Sequence, residues 1–332
     1  MTAPLGLAGR SVLVTGGAGF IGSHLTDRLI AEGPAHLVVV DNFFLGKEAN
    51  LAPARERFPG LKVHRADVAD YDAMREILAT EGTEVVFDLA VVPLPTSLER
   101  PRWTVDVNLA MTSTMCELLR EGLYRTLVHF SSSEVYGTAQ YIPMDESHPL
   151  LPLTPYAASK AGGDHVVASY RATFGIDVAT VRPFNAFGPR QNEQAYAGVI
   201  PTVVQRALAG EQVEIHGDGL QTRDFTYVAD VAEFALAAYR APATRGQVVN
   251  VASGREVSVK DLVALLLDAL GSDVAVVHTD PRPGDVRQHC GGVVKGQELT
   301  GFRPRWALDD GLAETVRWYR ELLGAPAPTH AG

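Results

Sequence analysis

Over its first 183 residues the chain alternates short β-branched runs with stretches of helical period, and no other feature restricts its fold so tightly. Residues 11–15, 36–40, 61–66, 84–90, 126–131 and 177–182 read as strands, and residues 21–31, 71–79, 105–120 and 156–174 as helices. Strands joined through a helix run parallel, because the crossover brings the chain back to the same end of the sheet. The expected fold class is α/β: a Rossmann-type doubly wound parallel sheet over residues 1–183. After Pro183 the pattern loosens into loops rich in Gly, Pro and Arg, with helices near 199–209, 228–239, 258–270 and 309–323. Residues 184–325 are expected to form a smaller, interwoven C-terminal substrate-binding region. A strand near 247–252 is expected to return to the large sheet, and residues 326–332 to form a loose tail.

Composition narrows the partners. With 332 residues, 46% of them hydrophobic and 20% charged, the chain can bury a large core beneath an ordinary surface. No apolar run is long enough to span a bilayer, so no membrane partner is expected; the first ten residues lack a basic start and apolar core, which points to the cytoplasm. The 29 basic residues are outnumbered by 39 acidic ones and scattered along the chain, which argues against nucleic acid. Cys116 and Cys290 stand far apart with no Cys/His cluster, so neither a disulfide nor a metal site is expected.

Two sets of residues carry chemistry. At the first strand-to-helix turn, Gly16, Gly19 and Gly22 are spaced G-x-x-G-x-x-G. Such glycines serve a tight turn, close backbone approach to a pyrophosphate, and close helix-to-strand packing, with the helix N-terminus facing the anion. Asp41 closes the next strand about 20 residues beyond the last glycine, where a carboxylate accepts the adenosine ribose hydroxyls and repels the extra phosphate of NADP; NAD is the expected cofactor. The competing reading makes Asp41 a loop cap. Asp67, after the third strand, either holds an adenine amine or caps the helix that follows. Phe20, Ile21, Asn42, Val68, Leu89 and Ala90 flank these strand ends and are further candidate cofactor contacts.

At the other end, Ser131 to Gly137 follow the fifth strand, and Tyr156 and Lys160 sit four residues apart on the next helix. Positions i and i+4 share a helix face, so a phenol and an ammonium can enter one pocket. A free tyrosine titrates near 10; a neighbouring ammonium and a positive nicotinamide are expected to lower that value. Tyr156 is then expected to remove a proton from a substrate hydroxyl, with Ser132 bridging. A Tyr-x-x-x-Lys pair alone is common by chance. A Rossmann-type regulator that senses NAD without catalysis is the rival reading, and it would be expected to lack this pair.

With these motifs in order, the chain resembles an extended short-chain dehydrogenase/reductase of the NAD-dependent epimerase/dehydratase family. The likeness runs from Ser11 to about Tyr319 and rests on the glycine turn, Ser131 to Gly137, Tyr156 to Lys160, Arg182-Pro-Phe-Asn185 with Gly188-Pro-Arg190, Gly217-Asp-Gly219 with Arg223 to Tyr227, and Arg282-Pro-Gly-Asp285. The resemblance implies that Tyr156 and Lys160 also touch a tightly bound, regenerated NAD and that Asn108 contacts the cofactor side. It places Asn185 and Arg223 at the substrate diphosphate, Arg282 and Asp285 at the diphosphate and nucleoside ribose, and Arg190, Val199 and Ser133 in the substrate site. The substrate implied is a nucleotide-diphosphate sugar, a UDP-sugar foremost, oxidised at C4.

The resemblance leaves the later steps open. In TDP-glucose 4,6-dehydratases the loop reads Thr-Asp-Glu; here Ser133 replaces the acid while Glu134 remains. A 4-epimerase is favoured, because the Arg282-Pro-Gly-Asp285 region and the overall pattern resemble that subgroup and the dehydratase acid is absent. A dehydratase of UDP-N-acetylhexosamine type or a UDP-glucuronate decarboxylase would use Glu134, and a simple loop brace would use it for neither. Two features depart from the family: Asp88 stands where His or Asn is usual, and residues 91–96 form an unusual proline-containing loop. A homodimer through the helices at 105–120 and 156–174 is implied as well. Their apolar residues, Leu109, Met115, Leu118 and Leu119 on one and Val166, Val167 and Tyr170 on the other, suit packing inside one subunit equally well.

Overall fold

The computed structural model describes residues 5–192, 198–281 and 286–324. Seven strands form one wholly parallel sheet: β1 (Ser11–Thr15), β2 (His36–Asp41), β3 (Lys62–Arg65), β4 (Val85–Asp88), β5 (Thr126–Phe130), β6 (Val178–Pro183) and β7 (Val248–Val251). Their order is β7-β6-β5-β4-β1-β2-β3. The returning strand is therefore present, paired with β6. The order reverses between β1 and β4, and the carboxyl ends of those strands open the crevice where ligands of such sheets bind.

The strands are apolar in continuous runs because both faces are covered. On one face Val12, Val14, Phe87 and Val128 pack under α1 (Phe20–Ile30) and α6 (Val228–Arg240). On the other, Leu13, Val38, Val86 and Leu127 pack under α2 (Tyr71–Thr80), α3 (Pro101–Arg120) and α4 (Pro155–Phe174). Val12 and Val14 face one way and Leu13 the other, as the two-residue repeat of a strand requires. Met115, Leu118 and Val167, offered as pairing residues between subunits, are buried inside this one.

The C-terminal region has its own core. Ile200, Val203 and Val204 of α5 (Val199–Leu208) meet Leu262 and Leu266 of α7 (Val259–Leu270), and Leu312, Val316 and Tyr319 of α8 (Leu308–Leu323). This cluster surrounds a small parallel pair, Val213–His216 with Val276–Thr279. Because α6 and β7 go back to the large sheet, the chain after Pro183 is shared between the two regions.

Some element ends differ from the sequence reading, for local reasons. β4 stops at Asp88, opposite Thr15. Beyond it Leu89 and Ala90 turn their amides onto the Thr15 hydroxyl, at 2.9 and 3.1 Å, and leave the ladder. α3 starts at Pro101, four residues earlier than expected, and a helical turn at Leu94–Glu99 occupies part of the expected loop. Prolines in a first turn forfeit no hydrogen bond there, so Pro95 and Pro101 start helices instead of breaking them.

Candidate active site

A cavity of about 650 Å³ opens at the switch point between β1 and β4. Its floor is the glycine turn, and the backbone explains why glycine is needed. Gly16 has φ +63°, and a Cβ on Gly22 would fall 2.2 Å from the Gly16 carbonyl oxygen. α1 begins beside this turn with Gly19 as an extended cap, no side-chain cap and no acid in its first turn. Its first amides and positive dipole end are thus offered to an anion. Gly16, Gly19, Phe20, Ile21 and Gly22 all line the cavity, as expected.

Asp41 and Asn42 line the cavity where β2 ends. Asp41 Oδ2 accepts from the Ala18 amide at 2.9 Å and Oδ1 from the Phe43 amide at 2.8 Å, so it also caps its loop. A carboxylate has lone pairs left after two such bonds. Burial pushes this carboxyl up and the two amides pull it back. Asp67 and Val68 line the adjoining wall, with Leu89 and Ala90 opposite. The cap of α2 is Asp70, which accepts from the Ala73 amide at 3.0 Å; Asp67 is not the cap.

At the far end the cavity meets Ser132, Ser133, Glu134, Tyr156 and Lys160. Ser132 Oγ accepts from the Glu134 amide at 3.2 Å, starting a short 3-10 turn over Ser133–Tyr136. Thr154 caps α4, accepting from Ala157 N at 3.1 Å, and Pro155 opens the helix, which fixes Tyr156 in its first turn. One turn on, Lys160 is buried and its Nζ donates to the Phe130 carbonyl at the end of β5.

The expected lowering of the phenol is not found in the protein alone. Burial pushes Tyr156 up to about 12; a hydrogen bond with Ser132 opposes that, and the Glu134 carboxylate adds to it. The reason is geometric: the ammonium points at a strand carbonyl, and burial pushes Lys160 itself down.

Other expected residues divide. Asn185 and Arg190 line the cavity. Arg190 adopts φ +65°, and its guanidinium lies 2.7 Å from Asp27 of α1. Asn108, expected to touch the cofactor, does not line the cavity. Its amide is spent on Val92 N, Val92 O and Ser159 Oγ at 2.8, 3.1 and 2.9 Å, where it pins the 91–96 loop. Val199 and Arg223 do not line the cavity either. Val199 packs against the C-terminal core, and Arg223 Nη1 donates to the carbonyls of Thr222 and Val286. Arg282 and Asp285 lie outside the described residues.

The sequence reading missed several contributors. Phe44 meets Trp103 edge-on at 5.7 Å, and both line the cavity, joining the β2 loop to the start of α3. His289 sits behind the serine loop with Nε2 3.2 Å from the Ser133 carbonyl; burial pushes it down to about 4, so it is neutral. Its partner lies 156 residues away, and no local pattern marks such a contact. Thr15, which immediately precedes Gly16, bonds Asp88 at 2.7 Å.

The donor set fits a dinucleotide: an uncapped helix N-terminus, a turn that a single Cβ would fill, and a carboxylate closing β2. Among the described residues no cluster of His, Cys, Asp or Glu could hold a metal ion, and no helix is long and apolar enough to cross a membrane.

Known proteins resemble this chain in sequence and in fold. A model of the NAD dependent epimerase/dehydratase family matches residues 12–252. A putative UDP-glucose 4-epimerase of Methanocaldococcus jannaschii is 34% identical over 93% of this chain and 98% of its own length. A dTDP-glucose 4,6-dehydratase of Actinoplanes is 36% identical over 93% of this chain and 97% of its own. Among solved structures, the UDP-glucose 4-epimerase of Thermotoga maritima with UDP-glucose superposes with a TM-score of 0.89 at 32% identity, covering 94% of this chain and 99% of that one.

Proposed function

Since the chain belongs to the NAD-dependent epimerase/dehydratase family, we propose that it is a nucleotide-sugar 4-epimerase, with a UDP-hexose as substrate. The observation that carries the reading is the meeting of Tyr156, Lys160, Ser132 and Ser133 in one cavity; by the resemblance, Ser133 stands at the position of the acid in TDP-glucose 4,6-dehydratases. NAD would be held by the glycine turn, Asp41, Asn42 and Asp67. Bound there, its nicotinamide supplies a reversible hydride acceptor for C4 of the sugar. Asp41 gives the preference for NAD over NADP.

Within this reading Tyr156 takes the C4 hydroxyl proton and returns it to the product, with Ser132 sharing the hydrogen bond. A phenol near 12 is an acid at neutral pH, so Tyr156 becomes a base only once positive charge has entered the cavity with the oxidised cofactor. Asn185 and Arg190 lie on the wall that would receive the diphosphate. The reaction has no net redox change, so the cofactor stays bound, and desalted protein is expected to carry it. A homodimer belongs to the same reading; sedimentation of a monomer at micromolar concentration would remove it.

A second reading rests on Glu134, which faces the cavity beside Tyr156 and could act at C5 in a dehydratase or on a carboxylate-bearing sugar. Mass spectrometry of the products separates the two. Incubated with UDP-glucose and UDP-N-acetylglucosamine, an epimerase leaves the mass unchanged. Loss of water, or of carbon dioxide from a UDP-uronate, would make Glu134 catalytic and end the epimerase reading.

A further inference from the structure

We propose that Asp88 is the buried counter-charge of Lys160, a positioning residue that keeps the ammonium charged beneath Tyr156; the inference rests on the Tyr156–Lys160 chemistry proposed above.

Asp88 ends β4 between two neighbours on adjacent strands. Its Oδ1 accepts from the Thr15 hydroxyl at 2.7 Å, and its Oδ2 meets His129 Nδ1 at 2.9 Å. Asp88 is 3% exposed and His129 1%. Neither partner is a lysine or an arginine. The hydroxyl is neutral, and His129 Nε2 is buried without a hydrogen-bond partner. An imidazolium would leave an N–H buried and unpaired there; the neutral ring, donating from Nδ1, leaves only a lone pair, the cheaper orphan. Asp88 is thus a buried carboxyl whose hydrogen-bond partners are a hydroxyl and an imidazole. Among the described residues no lysine or arginine forms an ion pair with it.

Lys160 is the complementary case. It is a buried ammonium whose recorded hydrogen bond goes to the Phe130 carbonyl, one residue beyond His129 on β5. Burial pushes its charge off, while the carboxylates of Asp88 and then Asp164 hold it on. Asp164 is already matched, because Arg182 grips it at 2.8 and 2.9 Å. Of the two carboxylates that act on Lys160, Asp164 is therefore matched by Arg182, which leaves Asp88 for Lys160. The other ionisable neighbours are neutral or face the cavity. Behind Asp88, burial pushes the Cys116 thiol up to about 12 and pushes the Tyr124 phenol up as well. Toward the cavity stand Tyr156, neutral in the free protein, and Glu134, whose charge bears on that phenol. In a low-dielectric interior, charges that do not touch still couple strongly.

Removing the negative charge disfavours the ammonium, so the Lys160 midpoint must fall. The test is an NMR titration of the full-length protein carrying isotope-labelled lysine, with the residue 160 signal assigned by its absence in Lys160→Arg. In Asp88→Asn, or in Asp88→Ser should the first not fold, the midpoint should drop by about one pH unit. The alkaline limb of cofactor reduction by a nucleotide sugar should move down with it. His129→Gln keeps the carboxylate, and its titration should stay with the wild type. An unmoved midpoint in the Asp88 variant, or an equal fall in His129→Gln, would overturn the proposal. A wild-type protein that titrates as expected yet reduces no cofactor with any nucleotide sugar would refute the proposed function instead.

Discussion

The cofactor half of the cavity and its substrate half are built by different means. The cofactor half consists of strand ends: Asp41 closes a strand of one parallel sheet, Gly16, Asp67 and Leu89 follow others, and the backbone itself shapes the site. The substrate half is assembled from loops brought together over long stretches of chain. His289 reaches Ser133, and Asn185 Nδ2 lies 3.3 Å from the Asp224 carbonyl. A site made by a regular sheet tolerates little change in its backbone but binds a standard ligand. A site made by loops can alter its substrate while the first chemical step stays fixed.

That contrast can be broken or sharpened by substitution. Tyr156→Phe should retain cofactor and lose roughly 10²–10⁴-fold in turnover, as expected for a lost general base; stopped-flow reduction of the bound cofactor reads it, and unchanged turnover would remove Tyr156 from the mechanism. Gly22→Ala places a methyl group 2.2 Å from the Gly16 carbonyl, and should cost on the order of 3 kcal/mol of stability by denaturant unfolding, together with the bound cofactor. Asp41→Ala should weaken NAD retention by roughly ten- to a hundredfold, the worth of hydrogen bonds to a charged group; calorimetry with NAD and NADP checks both the loss and the narrowed preference. Arg223→Ala should have the smallest effect, a rise in KM below about tenfold with kcat unchanged, because its guanidinium braces the Thr222 and Val286 carbonyls outside the cavity lining. If Arg223→Ala lowered kcat more than Asp41→Ala weakened NAD, the substrate half would be the rigid one.

The same contrast governed what could be read in the sequence. The glycine spacing, the carboxylate after β2 and the Tyr156–Lys160 pair are short-range patterns whose meaning follows from strand and helix periodicity, and the structure brings them into one cavity. Asp41 is both a loop cap and a cavity carboxylate, a double role that spacing cannot separate. Asn108 is assigned to the cofactor side by resemblance alone, and its hydrogen bonds to Val92 and Ser159, which pin the 91–96 loop, follow only from the packing of α3 and α4. The Phe44–Trp103 contact, the His289 brace and the Thr15–Asp88–His129 chain join residues 59 to 156 positions apart or lie across neighbouring strands. Only the register of the sheet and the docking of the second region define them. Asp88 stood out as an unusual residue; its partners became visible only when β1 and β5 flanked β4.

A UDP-hexose carrying deuterium at C4 tests the central claim most directly. If Tyr156 and Lys160 serve a reversible oxidation at that carbon, the product is the C4 epimer with the label still on C4 and the mass unchanged. Label found on C6 of a dehydrated sugar, or a deuterium-labelled substrate recovered with its C4 configuration untouched, would contradict the account.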